Sequence, residues 1–194
     1  MALTVPRRRH PHEPSLTVEV SGPSAVVHDR TPRARALHYV LAAVRISLGW
    51  VFLWAFLDKT FGLGHETTSA QAWVNGGSPT EGFLAHAATG PFTDLYHSIA
   101  GDAWADWLFM IGLLGIGVAL IAGVAMRIAA AGGALLLVMM WTVVLPPENN
   151  VFMDDHLIYA GLLVALALAG AEDTVGLGRL WRRLPVVRDF PVLH

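Results

Sequence analysis

Four long apolar runs, separated by polar segments, set the pattern of this chain. The first covers residues 37–62, and its apolar part contains one basic residue, Arg45. The other three cover about residues 105–126, 128–146 and 156–172. A helix of about 20 apolar residues, rising about 1.5 Å per residue, crosses a hydrocarbon core of about 30 Å. The pattern therefore predicts an all-α protein, a bundle of four transmembrane helices.

A more polar segment, residues 60–104, separates the first two runs and still carries scattered aromatic and aliphatic residues. Within it, the sequence SPTE at residues 78–81 has the order of a helix start: a capping hydroxyl, a proline and a glutamate. The pair GP at residues 90–91 ends that helix and begins another. We expect short amphipathic helices here, lying over the outer mouth of the bundle.

Small residues recur at every fourth position in two of the predicted spans: Gly115, Ala119 and Gly123 in the second, and Gly161, Ala165 and Ala169 in the fourth. In a bilayer, apolar attraction gives no preference for protein over acyl chain, so helices associate where small residues let their backbones approach. The two stripes predict close helix contacts along these faces.

The composition agrees with a membrane protein. The 194 residues are 54% hydrophobic and 14% charged, with a mean hydropathy of +0.51, which is more apolar than an ordinary soluble domain of this size. There is no cysteine, which excludes disulfide chemistry, thiolate-bound iron–sulfur clusters and CxxCH haem attachment. Haem held by two histidines is not expected either, because His38 and His156 fall near opposite ends of the predicted bundle.

The charge distribution divides the chain into three regions. Residues 1–36 are rich in arginine and proline and predict a disordered cytoplasmic tail, residues 37–172 form the membrane domain, and residues 173–194 form a C-terminal segment. Apart from Arg45, eleven arginines lie in the tail, the link near residue 127 and the C-terminal segment, whereas Lys59 is the one basic residue of the opposite side. The positive-inside rule predicts a multi-pass plasma-membrane protein with both termini in the cytoplasm. We interpret the arginines as anchors to anionic lipid rather than as a nucleic-acid site.

Arg45 is the first candidate functional residue. A charge inside a span costs about 3 kcal/mol on insertion scales, so its guanidinium should face the bundle rather than lipid. No acidic residue lies at comparable depth in the predicted spans. Its charge must therefore be met by backbone carbonyls, hydroxyls, water or a bound ligand.

Several segments together resemble one family. They are RISLGWVFLW at residues 45–54, LDK at 57–59 with FG at 61–62, WVNGGSPT at 73–80, and PPENN at 146–150 followed by DDH at 154–156. Over about residues 38–180 the sequence resembles the DoxX/DoxD group of small four-helix membrane proteins, described as the membrane subunit of thiosulfate:quinone oxidoreductase. The resemblance implies a subunit that passes electrons from a sulfur compound to the quinone pool, with quinone as cofactor and a redox protein as partner. It assigns no catalytic residue.

A quinone site needs an apolar slot with polar groups that hydrogen-bond two carbonyl oxygens and supply protons. The residues that could build one are Arg45, Asp58, Lys59, Asp155, His156 and Tyr159, with Trp50 and Trp54 as stacking faces. All except Arg45, Trp50 and Trp54 fall where the end of the first helix can meet the start of the fourth.

A structural interpretation of the same residues stands beside this one. Asp58 or Lys59 could pair with Asp154 or Asp155 as a salt bridge between helix ends, Arg45 could be held by backbone carbonyls, and the tryptophans could be interfacial packing. A metal site of His156, two aspartates and a loop histidine has the right donor types, but no paired ligand spacing supports it, and none is predicted.

Two classes of function follow from these interpretations. In the first, the protein is the quinone-reactive membrane subunit of a redox system. In the second, it is a non-catalytic module that anchors or assembles a membrane complex. Because the chain has no redox cofactor motif, either function requires a protein partner.

Overall fold

The computed structural model describes residues 31–193, so the part of the predicted tail at residues 1–30 lies outside the described residues. The first helix, α1, covers Pro32–Phe61 and begins five residues before the predicted span. Its start follows from local chemistry, because the Thr31 hydroxyl accepts the backbone N–H of Ala34 at 3.2 Å and proline fits the first helical position. The helix ends at Gly62, which adopts the left-handed conformation (φ 62°).

The segment after α1 forms short helices, as predicted. It contains the 3₁₀ turns Ser69–Gln71 and Trp73–Asn75, followed by α2 (Glu81–His86) and α3 (Thr93–Ile99). The helix α2 begins later than the SPTE sequence indicated, because its capping position is Thr80, whose side chain makes no capping hydrogen bond. The hydroxyl of Ser78 does accept the N–H of Glu81 at 3.1 Å, in the turn before the helix. The ring of Tyr96 is buried with Ala88 and Val143 in a small core of its own.

Three further apolar helices follow and complete the framework: α4 (Ala103–Ala122), α5 (Met126–Val143) and α6 (Asp155–Leu168). The helices α1, α4 and α5 are long and apolar enough to cross a membrane, whereas α6 has 14 residues. Two short helices, α7 (Gly178–Trp181) and α8 (Pro185–Asp189), occupy the C-terminal segment. The described residues contain no strand, so the all-α prediction is confirmed for this part of the chain.

The long helices pack in sequence, α1 on α4, α4 on α5 and α5 on α6, and α6 also contacts α1. Side chains between them form one apolar core, whose largest members are Leu48, Phe52, Met110, Leu113, Ile116, Leu120, Met126, Leu137, Leu163 and Leu166. On the outer side of α4, Trp107, Leu108 and Ile111 are each more than half exposed. A helix that is apolar on both its packed and its exposed face is typical of a membrane span, whose outer face contacts lipid.

The closest approach between α1 and α4 is made by glycines. A methyl group on Gly49 would lie 2.9 Å from the backbone nitrogen of Ile121, and one on Gly117 would lie 2.8 Å from the backbone nitrogen of Leu53. Gly49 and Gly117 were not among the stripes of small residues predicted from the sequence. Of those stripes, Gly115 and Gly161 have open space where a side chain would be, because they face away from the neighbouring helices. A methyl group on Gly123, in contrast, would lie 2.8 Å from Nη1 of Arg45 on α1.

Replacing Gly49 by alanine is expected to destabilise the protein. The added methyl group meets backbone atoms of α4 that cannot rotate away, and overpacking of this kind costs about 1–3 kcal/mol. The measurement is thermal unfolding of the purified protein in mild detergent. Gly115→Ala is the matched control, because the same change on an open helix surface should leave stability unchanged or raise it slightly. Equal unfolding temperatures for the two variants would contradict the assigned contact.

Candidate functional site

Arg45 is fully buried, with 0% of its surface exposed, and its guanidinium lies among backbone carbonyls. One terminal nitrogen, Nη1, donates to the carbonyls of Leu120 and Ile121, the latter at 3.1 Å. The other, Nη2, donates to the carbonyls of Val175 at 2.6 Å and Thr174 at 3.4 Å. The charge is thus met by carbonyl dipoles, one of the solutions that the sequence left open. A planar fork with several fixed donors suits this arrangement.

Two of those carbonyls belong to the last turn of α4, where a helix leaves its carbonyls without internal partners. The neighbouring carbonyls of this turn have hydrogen-bond donors as well. Ala119 accepts from the N–H groups of Gly123 and Val124, and Ala122 accepts from the N–H of Leu177 at 2.8 Å. Arg45 therefore completes the capping of α4 and places a positive charge at the negative end of its dipole.

The segment that contributes the other two carbonyls is held in an unusual backbone conformation. Val175 has φ 52°, in the left-handed region that a β-branched residue rarely adopts. Its carbonyl is bound more closely by Nη2 than the carbonyl of Thr174 is. The neighbouring Gly176 leaves little room, since a methyl group there would lie 3.1 Å from the carbonyl oxygen of Ala122 and 3.2 Å from Nη2. Arg45 therefore fixes the turn that follows α6.

An acidic residue, Glu172, lies close enough to interact electrostatically with Arg45. Its side chain is 13% exposed, and its Oε1 accepts from Arg182 at 3.4 Å. Sequence analysis missed this residue because it occupies the last position of the fourth apolar run. An acidic residue at that position was interpreted as the end of the predicted span. The signal that could have found it is its position at the same end of the predicted bundle as the C-terminal arginines.

Asp58 lies near the other end of α1 and is 1% exposed. Its carboxylate accepts three backbone N–H groups, from His65 at 3.3 Å, Glu66 at 3.0 Å and Thr67 at 2.8 Å. A row of amides around one carboxylate satisfies the buried charge without a cation. Asp58 therefore holds the loop after α1. No ion pair of Lys59 occurs within residues 31–193, so the predicted pairing of Asp58 or Lys59 with the α6 aspartates is replaced by this loop contact.

At the start of α6, Asp154 is the cap, as the sequence indicated, and accepts the N–H of Leu157 at 3.2 Å. Its second oxygen lies 2.6 Å from Nδ1 of His156, and Asp155 lies 3.6 Å from the same atom. One donor atom from each of the three residues falls within 4.8 Å of the others. Tyr159, one turn further, packs its partly buried side chain against the main core. Asp154 and His156 already bind each other, so a cation would have to replace that contact to bind here.

The aromatic candidates form a row along the C-terminal half of α1. The ring centroids of Trp50 and Trp54 are 5.8 Å apart, and the imidazole of His65 meets Trp54 edge-on at 5.2 Å. Trp50 is 51% exposed, and His65 is exposed as well. We call these three residues the aromatic row. Sequence analysis included both tryptophans but not His65, because only the loop held by Asp58 brings the imidazole back to α1.

The predicted site residues thus separate into two groups. Arg45 and Asp58 are 13 positions apart on one helix, which corresponds to about 20 Å along its axis. Arg45 is level with the last turn of α4, whereas Asp58, Lys59 and the Trp54–His65 pair lie toward the opposite end, with Trp50 between the two groups. A single quinone ring cannot contact both groups.

A second buried acid, Asp106, fastens the segment between α1 and α4. It is 6% exposed, and its Oδ1 accepts from the hydroxyls of Ser78 at 2.8 Å and Thr80 at 2.6 Å and from the N–H of Thr80 at 3.0 Å. Sequence analysis did not single out Asp106. The signal that could have found it is its position in the first turn of the apolar helix α4, where a carboxylate can be buried if the preceding loop supplies donors.

Comparisons with known proteins give no relatives for this chain: no protein-family model matches it, and neither curated proteins nor solved structures give a significant match.

Replacing Arg45 by glutamine is expected to lower stability by about 2–4 kcal/mol, because a shorter neutral side chain leaves buried carbonyls of α4 and of residues 174–175 without donors. Arg45→Lys should recover part of the loss, since an ammonium keeps the charge but lacks the fork. Thermal unfolding in detergent measures both effects. The control is Arg183→Gln, an exposed arginine of the C-terminal segment, which should unfold like the parent protein. If Arg45→Gln instead kept full stability and lost a bound ligand, detected by mass spectrometry, Arg45 would be a ligand-binding residue.

Proposed function

We propose that the protein is a four-span plasma-membrane protein with both termini in the cytoplasm. Three helices have the length and apolar character of spans, and α6 packs along α5 in the same layer. The 14 residues of α6 rise about 21 Å, which a bilayer accommodates by local thinning or by the residues that flank the helix. The arginines of the C-terminal segment lie at the Arg45 end, and the helices of residues 62–102 belong to the Asp58 end.

We propose further that it serves as a DoxX-like membrane subunit that passes electrons from a sulfur-oxidising partner to quinone. The observation that carries this proposal is the aromatic row. Its two indoles offer flat faces on the lipid side of α1, and its imidazole offers ring nitrogens that no hydrogen bond within the described residues engages. A lipophilic quinone ring stacks on such faces, and a histidine can donate a hydrogen bond to its carbonyl oxygen.

Quinone reduction at the aromatic row requires a source of electrons and a source of protons. Reduction of a quinone to a quinol takes up two electrons and two protons. This chain has no cysteine and no cofactor motif, so the electrons come from the partner protein, which oxidises the sulfur compound. His65 lies in an exposed loop and can pass protons between the aqueous side and the ring. Asp58 keeps the imidazole against Trp54 by binding the backbone of residues 65–67.

A second function, a non-catalytic anchor or assembly subunit, is favoured by a separate observation. Within residues 31–193, the buried charged side chains Arg45, Asp58 and Asp106 form hydrogen bonds only with backbone groups and hydroxyls. Such groups build a rigid framework rather than a reactive centre. Purification in mild detergent distinguishes the two functions. Co-purified quinone supports the quinone-reactive subunit, and a stoichiometric companion protein without quinone supports the anchor.

The quinone proposal predicts that His65→Phe reduces the quinone retained by the purified protein by about threefold to tenfold, the value of one hydrogen bond. Phenylalanine keeps the aromatic contact with Trp54 and removes the ring nitrogens. The measurement is chromatography of quinone extracted from the protein together with thermal unfolding. His86→Phe is the control, because His86 is an exposed histidine of α2 whose ring bonds its own helix at the Gly82 carbonyl, 3.0 Å away. Equal quinone content in the parent and both variants would reject the site.

The orientation predicts opposite labelling of two exposed positions. In a chain without native cysteine, Val74→Cys should react with a membrane-impermeant thiol reagent on intact spheroplasts, and Val186→Cys should react only after lysis. Val74 and Val186 are 61% and 62% exposed, so accessibility is matched. Reaction at position 186 but not 74 in intact spheroplasts would reverse the topology.

A further inference from the structure

A basic cleft lies at the Arg45 end of the molecule, between the first turns of α1 and the segment that follows α6. Its volume is about 470 Å³, within the range of ligand sites. One wall carries Arg35, His38 and Tyr39, which share a helix face at spacings of three and four residues. The other wall carries Asp173, Arg179 and Leu180, with the backbone of residues 174–176 between them.

The two arginines of the basic cleft carry uncompensated charge. Neither Arg35 nor Arg179 has a side-chain hydrogen bond or ion pair within residues 31–193. The one carboxylate of the lining, Asp173, is already bound by Arg182. The cleft therefore presents two guanidinium groups and an imidazole to whatever enters it, a combination that suits a phosphate group.

The lining of the cleft also carries exposed apolar side chains. Tyr39, Val175 and Leu180 are 57%, 59% and 64% exposed. A soluble anion gains nothing from such side chains. A molecule that joins a phosphate group to acyl chains can place its charge between the arginines and its chains along this apolar part of the lining.

The position of the cleft along the helices is fixed by Arg45. The carbonyls of Thr174 and Val175, in the wall of the cleft, bind its guanidinium, and Leu177 donates to the last carbonyl of α4. The cleft therefore lies just beyond the end of the apolar helix α4, which is the level at which a bilayer places its phosphate groups. Its far wall is tied to α1 by the chain itself, because the carbonyls of Thr174 and Val175 accept hydrogen bonds from Arg45.

We propose that the basic cleft binds the phosphate group of an anionic phospholipid. Arg35 and Arg179 approach the phosphate oxygens from the two walls, and the exposed side chains of Tyr39, Val175 and Leu180 contact the acyl chains. The site is independent of the aromatic row, which lies at the other end of α1, and it operates whether or not the protein reacts with quinone.

Native mass spectrometry of the full-length protein in mild detergent tests this proposal, with phosphatidylglycerol as the probe. The parent protein should bind one molecule saturably and prefer it to phosphatidylcholine. The double variant Arg35→Gln/Arg179→Gln should bind phosphatidylglycerol about tenfold to thirtyfold more weakly. The matched control is Arg183→Gln/Arg188→Gln, which removes the same charge from exposed arginines outside the cleft and should keep the parent affinity.

Three outcomes would overturn the proposal. Equal weakening in the control would mean that the lipid responds to net charge rather than to the cleft. Equal binding of phosphatidylcholine would mean that no anion is recognised, and displacement of phosphatidylglycerol by millimolar inorganic phosphate would identify a soluble anion as the ligand. If the double variant unfolds at a lower temperature than the parent, the single variants Arg35→Gln and Arg179→Gln test the proposal in its place. Each should cause about half of the loss of phosphatidylglycerol affinity on a logarithmic scale.

Discussion

A buried guanidinium must be surrounded by acceptors, and that requirement determines how the Arg45 end of this protein is built. An arginine inside an apolar helix has no water to solvate it, so its donors take carbonyls from the nearest backbone that has them free. The last turn of α4 has them free because a helix terminus always does. The turn at residues 174–175 provides two more, and in doing so it accepts a conformation that valine rarely adopts. One side chain thus joins three segments that are distant in sequence.

The same solution, a buried charge satisfied by the backbone, recurs at the other end with the opposite sign. Asp58 gathers the amides of residues 65–67, and Asp106 gathers the hydroxyls and the amide of the turn before α2. In each case a charge in an apolar helix fixes an irregular segment beside it. Helix packing at Gly49 and Gly117 needs such support, because small residues bring α1 and α4 together without any directional contact.

The sequence predicts the helices well and the partners of the charged residues poorly, and the reason is physical. A run of apolar residues long enough to span a bilayer is a local property, so α1, α4 and α5 follow from the pattern. The burial of Arg45 also follows, since lipid excludes it. The identity of the acceptors does not follow from the sequence. Backbone carbonyls and amides are present at nearly every position, so the residue types do not show which of them bind a charged side chain.

Other differences have more specific causes. The Thr31-Pro32 pair is typical of a helix start, but the arginines around it placed residues 31–36 in the predicted tail, so α1 begins earlier than predicted. The packing face of α4 was not predictable either, because glycines occur on several faces and only the tertiary arrangement selects Gly117 over Gly115. His65 joined the candidate site for a similar reason, since its contact with Trp54 depends on the loop that Asp58 holds. The separation of Arg45 from Asp58 needed no coordinates, because 13 helical positions correspond to about 20 Å.

The reach of Arg45 along the chain has a consequence for biogenesis. Its acceptors lie 75 and 76 residues later in α4 and 129 and 130 residues later in the turn after α6. A ribosome therefore delivers the cation to the translocon long before it delivers the groups that neutralise it. During that interval α1 carries an unsatisfied charge, which disfavours its release into lipid alone and favours its retention beside the insertion machinery until the later helices arrive. A chain that stops before residue 174 keeps at most the α4 carbonyls as acceptors for Arg45, which gives membrane quality control a chemical criterion for distinguishing a finished chain from an interrupted one.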